Sequence, residues 1–109
     1  MKAVTDGIVV MTTTETQADG ERLAHVLVEA NLAACVQILP QMTSVYRWKD
    51  QIEYAKENLI LIKTTRNAYP GVEAAIKGAH QYETPEIIAV PVEAGSAAYL
   101  AWLLESVEA

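Results

Sequence analysis

Phenylalanine is absent from this chain of 109 residues, cysteine occurs once, and lysine and arginine together number eight. Each shortage excludes something. The single thiol, Cys35, cannot close a disulfide within the chain, so nothing calls for an oxidising compartment and a reducing cytoplasm fits. Eight scattered basic residues against fourteen acidic ones leave a net charge of −6. Binding to nucleic acid or to an anionic membrane needs clustered lysine and arginine, so neither partner is expected. The apolar run at Ile8 to Met11 is far shorter than a signal segment or membrane span, and the chain is expected to be neither exported nor inserted. No linker, repeat or low-complexity tract divides the sequence, so residues 1–109 read as one domain. There is no nucleophile elbow, Walker loop, HExxH or CxxC, so catalysis has no positive support and the chain reads as a non-enzyme.

What is present is enough for a packed core: 51% of residues are hydrophobic. Gly7 to Thr13, rich in β-branched residues and too short for a helix, predicts a buried strand. Thr16 and Asp19 suggest a capping box ahead of Leu23, Val26, Leu27 and Ala30, which recur at helical spacing and end near Asn31. Two long β-rich segments follow, Ala33 to Gln51 and Ile52 to Thr65, joined near Asp50-Gln51 as a hairpin. Asn67 is the expected cap of a second helix with Pro70 in its first turn, an apolar stripe of Val72, Ala75, Ile76 and Ala79, and an end near His80. Pro85 to Val92 predicts a last short strand, and Gly95-Ser96 opens a helix bearing Tyr99, Leu100, Leu103 and Val107. The order β-α-β-β-α-β-α predicts an α+β fold of the ferredoxin-like, split βαβ kind.

The hairpin asks for a partner. Arms of roughly fourteen residues reach about 50 Å, longer than a compact domain of this size needs, so the tip projects. Pro40 cannot donate to a ladder and predicts a bend or bulge at Pro40-Gln41 that splits the first arm. The tip carries Val45, Tyr46, Trp48, Ile52 and Tyr54, which lose much by staying in water. A neighbouring copy of the same chain would cover them, and these physical arguments leave dimer and trimer open.

Asn31-Leu32-Ala33-Ala34-Cys35-Val36, Ser44-Val45-Tyr46-Arg47-Trp48, Leu59-Ile60-Leu61-Ile62-Lys63-Thr64, His80-Gln81-Tyr82-Glu83-Thr84-Pro85-Glu86-Ile87-Ile88 and Tyr99-Leu100-Ala101-Trp102-Leu103 stand in this order along the chain. Together they resemble the CutA divalent-cation-tolerance family over roughly Ile8 to Leu104. The resemblance implies a homotrimer of ferredoxin-like subunits with the bent hairpin pairing between copies. It also implies a role in tolerance to divalent metals, copper above all, with divalent metal ions as partners and no obligatory cofactor.

Candidate residues carry two readings each. Cys35 is the softest metal ligand present, but its setting among Ala33, Ala34 and Val36 better suits a small buried hydrophobe. His80 is either a copper or zinc ligand or a cap at the end of its helix. Trp48, Lys63, Tyr82, Glu83 and Glu86 resemble the lining of the family's inter-subunit cleft, where a Lys–Glu pair could also be structural. Three positions depart from the family pattern: Gln81 stands where many relatives have proline, and Ala79 and Met11 stand where some have a second histidine and a cysteine. His25, four residues from both Glu21 and Glu29, reads as solvated helix surface. A second function of a different class is a signalling trimer like the PII proteins, which share the fold and bind small effectors between subunits, and a third is a scaffold that presents its surface to a protein partner.

Overall fold

The computed structural model describes residues 5–107, and Met1–Val4, which bear on the expectation of no export segment, lie outside the described residues. The elements are β1 (Gly7–Thr14), α1 (Gln17–Glu29), β2 (Cys35–Trp48), β3 (Gln51–Thr65), α2 (Tyr69–Ala79), β4 (Ile88–Pro91) and α3 (Ala97–Ser106). The order is the one the hydrophobic periods predict. The strands form one antiparallel sheet in the order β2-β3-β1-β4, which is the split βαβ arrangement.

Strand alternation assigns the two faces of the sheet. Ile8 and Val10 of β1 and Ile60 and Ile62 of β3 point to the side of α1 and α2, where they bury with Leu23, Leu27, Val72 and Ile76. Gly20 lets α1 sit close to the sheet, since a Cβ there would stand 2.9 Å from Ile60 Cδ1. The intervening residues, Val9 and Met11 of β1 and Leu61 and Lys63 of β3, point the other way. The Lys63 ammonium lies 6.0 Å from the Tyr99 ring centre, which places α3 over this second face with Leu103 buried beneath it.

Thr16 caps α1 as expected, its hydroxyl accepting from the Asp19 N–H at 3.1 Å. The Asp19 carboxylate pairs with Arg22. Ser96 caps α3 in the same way through the Tyr99 N–H. The second helix corrects the expectation of an Asn67 cap. Its N-cap is Ala68, without a side-chain hydrogen bond. The chain leaves β3 through a tight turn in which the Ala68 N–H reaches both the carbonyl and the hydroxyl of Thr65, and Asn67 is consumed inside that turn.

Hairpin geometry follows from two local features. Lys49 and Asp50 both have positive φ, 51° and 66°, and they form the two-residue turn between paired Trp48 and Gln51, one residue earlier than expected. The β2–β3 register slips between Leu39 and Met42, so Pro40-Gln41 is a bulge that interrupts the ladder while β2 continues through it. Beyond Asn58, β3 has no partner but β2, so residues 42–57 leave the sheet as a two-stranded ribbon and the molecule is 44 Å long.

The last strand is shorter than Pro85 to Val92. It pairs with β1 from Ile8 to Met11, and Val92 adds one further bond to Gly7. Nearer Thr13 the backbone of β1 is occupied by a side chain, as described below. Removing the α1 cap with Thr16→Ala is expected to cost about 1 kcal/mol. Urea unfolding at fixed protein concentration would register it, and an unchanged midpoint would remove the cap from the account of stability.

Candidate functional site

A ring of four residues closes the base of the ribbon. Glu57 is the last residue of β3 before it joins the sheet, and it is 6% exposed. Its Oε2 accepts from the Thr13 hydroxyl at 3.0 Å and from the Tyr82 phenol at 2.9 Å. The Tyr82 N–H donates to His80 Nδ1 at 3.1 Å, and His80 Nε2 meets the Thr13 carbonyl at 2.7 Å. Nδ1 accepts, so the ring proton sits on Nε2 and donates to that carbonyl. β1, β3 and the chain that follows α2 are thereby tied together, with the His80 and Tyr82 rings 4.5 Å apart.

Above this ring opens a cleft of about 580 Å³. Tyr46 and Trp48 of the ribbon form one wall, Glu57 the floor, and Tyr82, Glu83 and Glu86 the other wall. Thr13, Ser44, Val45 and Thr84 complete it. Cross-strand pairing shows why these ribbon residues gather. Tyr46 lies opposite Glu53 and Trp48 opposite Gln51, and with Met42 and Glu57 they share one face of the ribbon. Val45, Arg47, Ile52 and Tyr54 share the other.

Tyr82 is the titratable group the cleft perturbs most. Burial first, then its hydrogen bond to the Glu57 carboxylate, push it from 10.0 up to about 12. The phenol therefore stays protonated and donating throughout the physiological range.

A family model described as CutA1 divalent ion tolerance protein matches residues 8–106. The chain belongs to the CutA1 family. The divalent-cation tolerance protein CutA of Thermus thermophilus is 42% identical over 98 residues, covering 90% of this chain and 95% of its own. Protein CutA of Mus musculus is 42% identical over 88 residues, covering 81% of this chain and 50% of its own length. The solved structure of the Thermus thermophilus divalent cation tolerance protein superposes with a TM-score of 0.91 at 40% identity, over 94% of this chain and 99% of that one.

Within this CutA1 fold the residues singled out from sequence part into three places. Trp48, Tyr82, Glu83 and Glu86 meet in the cleft. Within one chain Lys63 stands apart from them, opposite Cys35 on β2 and near Tyr99. Cys35 is a free, half-buried thiol at that end of the sheet. His80 is anchored at Thr13, whose partner Leu59 lies four residues along β3 from Lys63, or about 13 Å. One chain therefore does not bring Cys35 and His80 to a common ion. As the ring sits, both His80 nitrogens are engaged and neither offers a lone pair. His25 is exposed surface, 3.7 Å from Glu29. Glu57 and Thr13 were missed because nothing in the sequence ties a mid-strand glutamate to a threonine 44 residues away. The one available signal was a charged residue at a position that β3 alternation assigns to the side of Leu59 and Leu61.

Tyr82 holds its proton more tightly folded than unfolded. Its contribution to stability is whole below pH about 10 and is lost as pH rises through about 12. Tyr69 is also raised, by its hydrogen bond to Glu73 first, and alkaline difference absorbance should show a further phenol step near pH 12 that Tyr82→Phe removes. Glu57→Gln should lower that step without returning it to 10.0, because burial is the larger cause. A Glu57→Gln protein titrating as wild type would break the link between the two residues.

Proposed function

We propose that this chain is a non-catalytic, self-associating protein of divalent-cation tolerance, a homotrimer in the cytoplasm that binds soft metal, copper in particular, at Cys35. The carrying observation is the family match over residues 8–106, with relatives named for divalent-cation tolerance.

Two features of the chain support assembly. The outer face of the ribbon leaves Tyr54 73%, Val45 57% and Ile52 54% exposed, and a ribbon so placed is marginal in water without cover. The sheet also ends on open strands, β2 and β4, with Leu39, Ile88 and Val90 exposed on them. A copy that lays its ribbon along a neighbour's open edge satisfies both, and three copies follow from the family resemblance.

Metal binding rests on the thiol. Among the described residues no group of three His, Cys, Asp or Glu side chains is placed to hold an ion within one chain. A metal at Cys35 then takes further donors from a neighbouring copy, which makes binding depend on assembly. The signalling reading by analogy with PII proteins draws no support from the relatives.

Two coupled predictions follow from this dependence. In sedimentation equilibrium the wild type should run at three times the chain mass, and Ile52→Lys with Tyr54→Lys should run at the mass of one chain. In a Cu(I) titration of metal-stripped, reduced protein against a competing chelator, both that double variant and Cys35→Ser should lose the stoichiometric site. His80→Ala should keep it while lowering the melting temperature. Copper retained by Cys35→Ser would sink the assignment.

A further inference from the structure

We propose that the cleft beneath the ribbon is a binding site for a small organic cation, an alkylammonium or guanidinium group, distinct from any metal held at Cys35. The argument is carried by what lines the cleft and what is missing from its lining. Tyr46 and Trp48, 45% and 41% exposed, present ring surface on one side, and the Tyr82 ring stands on the other. The faces of such rings carry negative potential and attract cations. Interleaved with them are the carboxylates of Glu57, Glu83 and Glu86, and the remaining lining is threonine, serine and valine. Among the described residues no lysine, arginine or histidine lines it.

Glu57 is the second, independent observation. It is more than nine-tenths buried, and the groups that hydrogen-bond to it are two neutral hydroxyls. Among the described residues the ion pairs are Arg22–Asp19, His25–Glu29 and Lys77–Glu73, so within one chain no basic side chain pairs with this carboxylate. A buried anion without a cation is costly, and a cation entering the cleft from solvent would relieve that cost.

Size and spacing separate the organic cation from a bare metal ion. The volume of about 580 Å³ suits a small molecule, for which sites of roughly 300–1,000 Å³ are usual. A divalent ion needs carboxylates converging on one point, and these three do not form such a group. Carboxylates spread between aromatic rings match a cation whose charge is carried on a carbon frame.

Agmatine, which carries a guanidinium at one end and an ammonium at the other, is the probe. The full chain with Trp102→Phe, so that fluorescence reports Trp48 alone, is titrated in metal-stripped buffer at constant ionic strength. Calorimetry is run in parallel on the wild type. Saturable, one-per-chain binding is expected, weakened about tenfold by Trp48→Ala and by Glu86→Gln. Both changes fall on exposed side chains, and sedimentation is expected to match the wild type. No saturable response, or the same response to sodium or magnesium chloride, would overturn the proposal. So would unchanged affinity in both variants. Binding confined to the single-chain Ile52→Lys, Tyr54→Lys protein would give the cleft to a neighbour's basic side chain and would equally overturn it. Because no metal is present, failure here leaves the copper reading at Cys35 standing, and failure there leaves this one.

Discussion

A carboxylate buried where a two-stranded ribbon leaves its sheet is the constraint on which the rest of the site depends. Glu57 cannot be desolvated alone, and the donors it finds come from opposite directions, Thr13 on the neighbouring strand and Tyr82 on the connection after α2. That demand fixes the path of residues 80–86. Once the Tyr82 phenol is held at Glu57, its backbone N–H meets His80, and the imidazole is left to donate to the Thr13 carbonyl. With that carbonyl engaged, β4 meets β1 only from Met11 back towards Ile8. The shortness of the last strand and the cleft in front of it are two results of one hydrogen-bond ring.

The bulge at Pro40-Gln41 sets the other half of the geometry. A strand of unbroken register would carry one alternation along its length, so a side chain's face could be counted from the core outward. The slip between Leu39 and Met42 adds an unpaired residue to β2 and restarts that count in the ribbon. Beyond it, Ser44, Tyr46 and Trp48 share the face that lines the cleft, Ile52 and Tyr54 lie on the other, and Val45, on that second face by pairing, also borders the cleft. One aromatic-rich tip therefore has two separable surfaces.

Most of the fold was legible because hydrophobic period and breakers are local. Strand and helix alternate where the period changes, Thr16 and Ser96 cap as their positions suggest, and Pro40 marks the bulge. Asn67 misled because cap propensity says nothing of the turn that precedes a helix, and here the turn from Thr65 used the residue first. The site was legible in part, and for a different reason. Trp48, Tyr82, Glu83 and Glu86 came from a family resemblance, and they do converge. Lys63 came from the same source, and within one chain its place on β3 puts it beside Cys35, on the sheet rather than the ribbon. Glu57 and Thr13 could be found only once the β1–β3 register was known, since their meeting is long-range.

Cation chemistry then divides between two ends of one sheet on grounds of ligand type. At the end marked by Cys35 the available donor is a single soft sulfur, suited to a thiophilic ion and in need of further donors from outside the chain. At the end marked by Glu57 the donors are hard carboxylate oxygens that, among the described residues, do not converge to hold an ion, in a cleft that aromatic rings also line. As proposed, the two sites differ in the ligand they take and in the residues that hold it. On these two proposals, loss of metal at Cys35 and loss of binding in the cleft are separable effects.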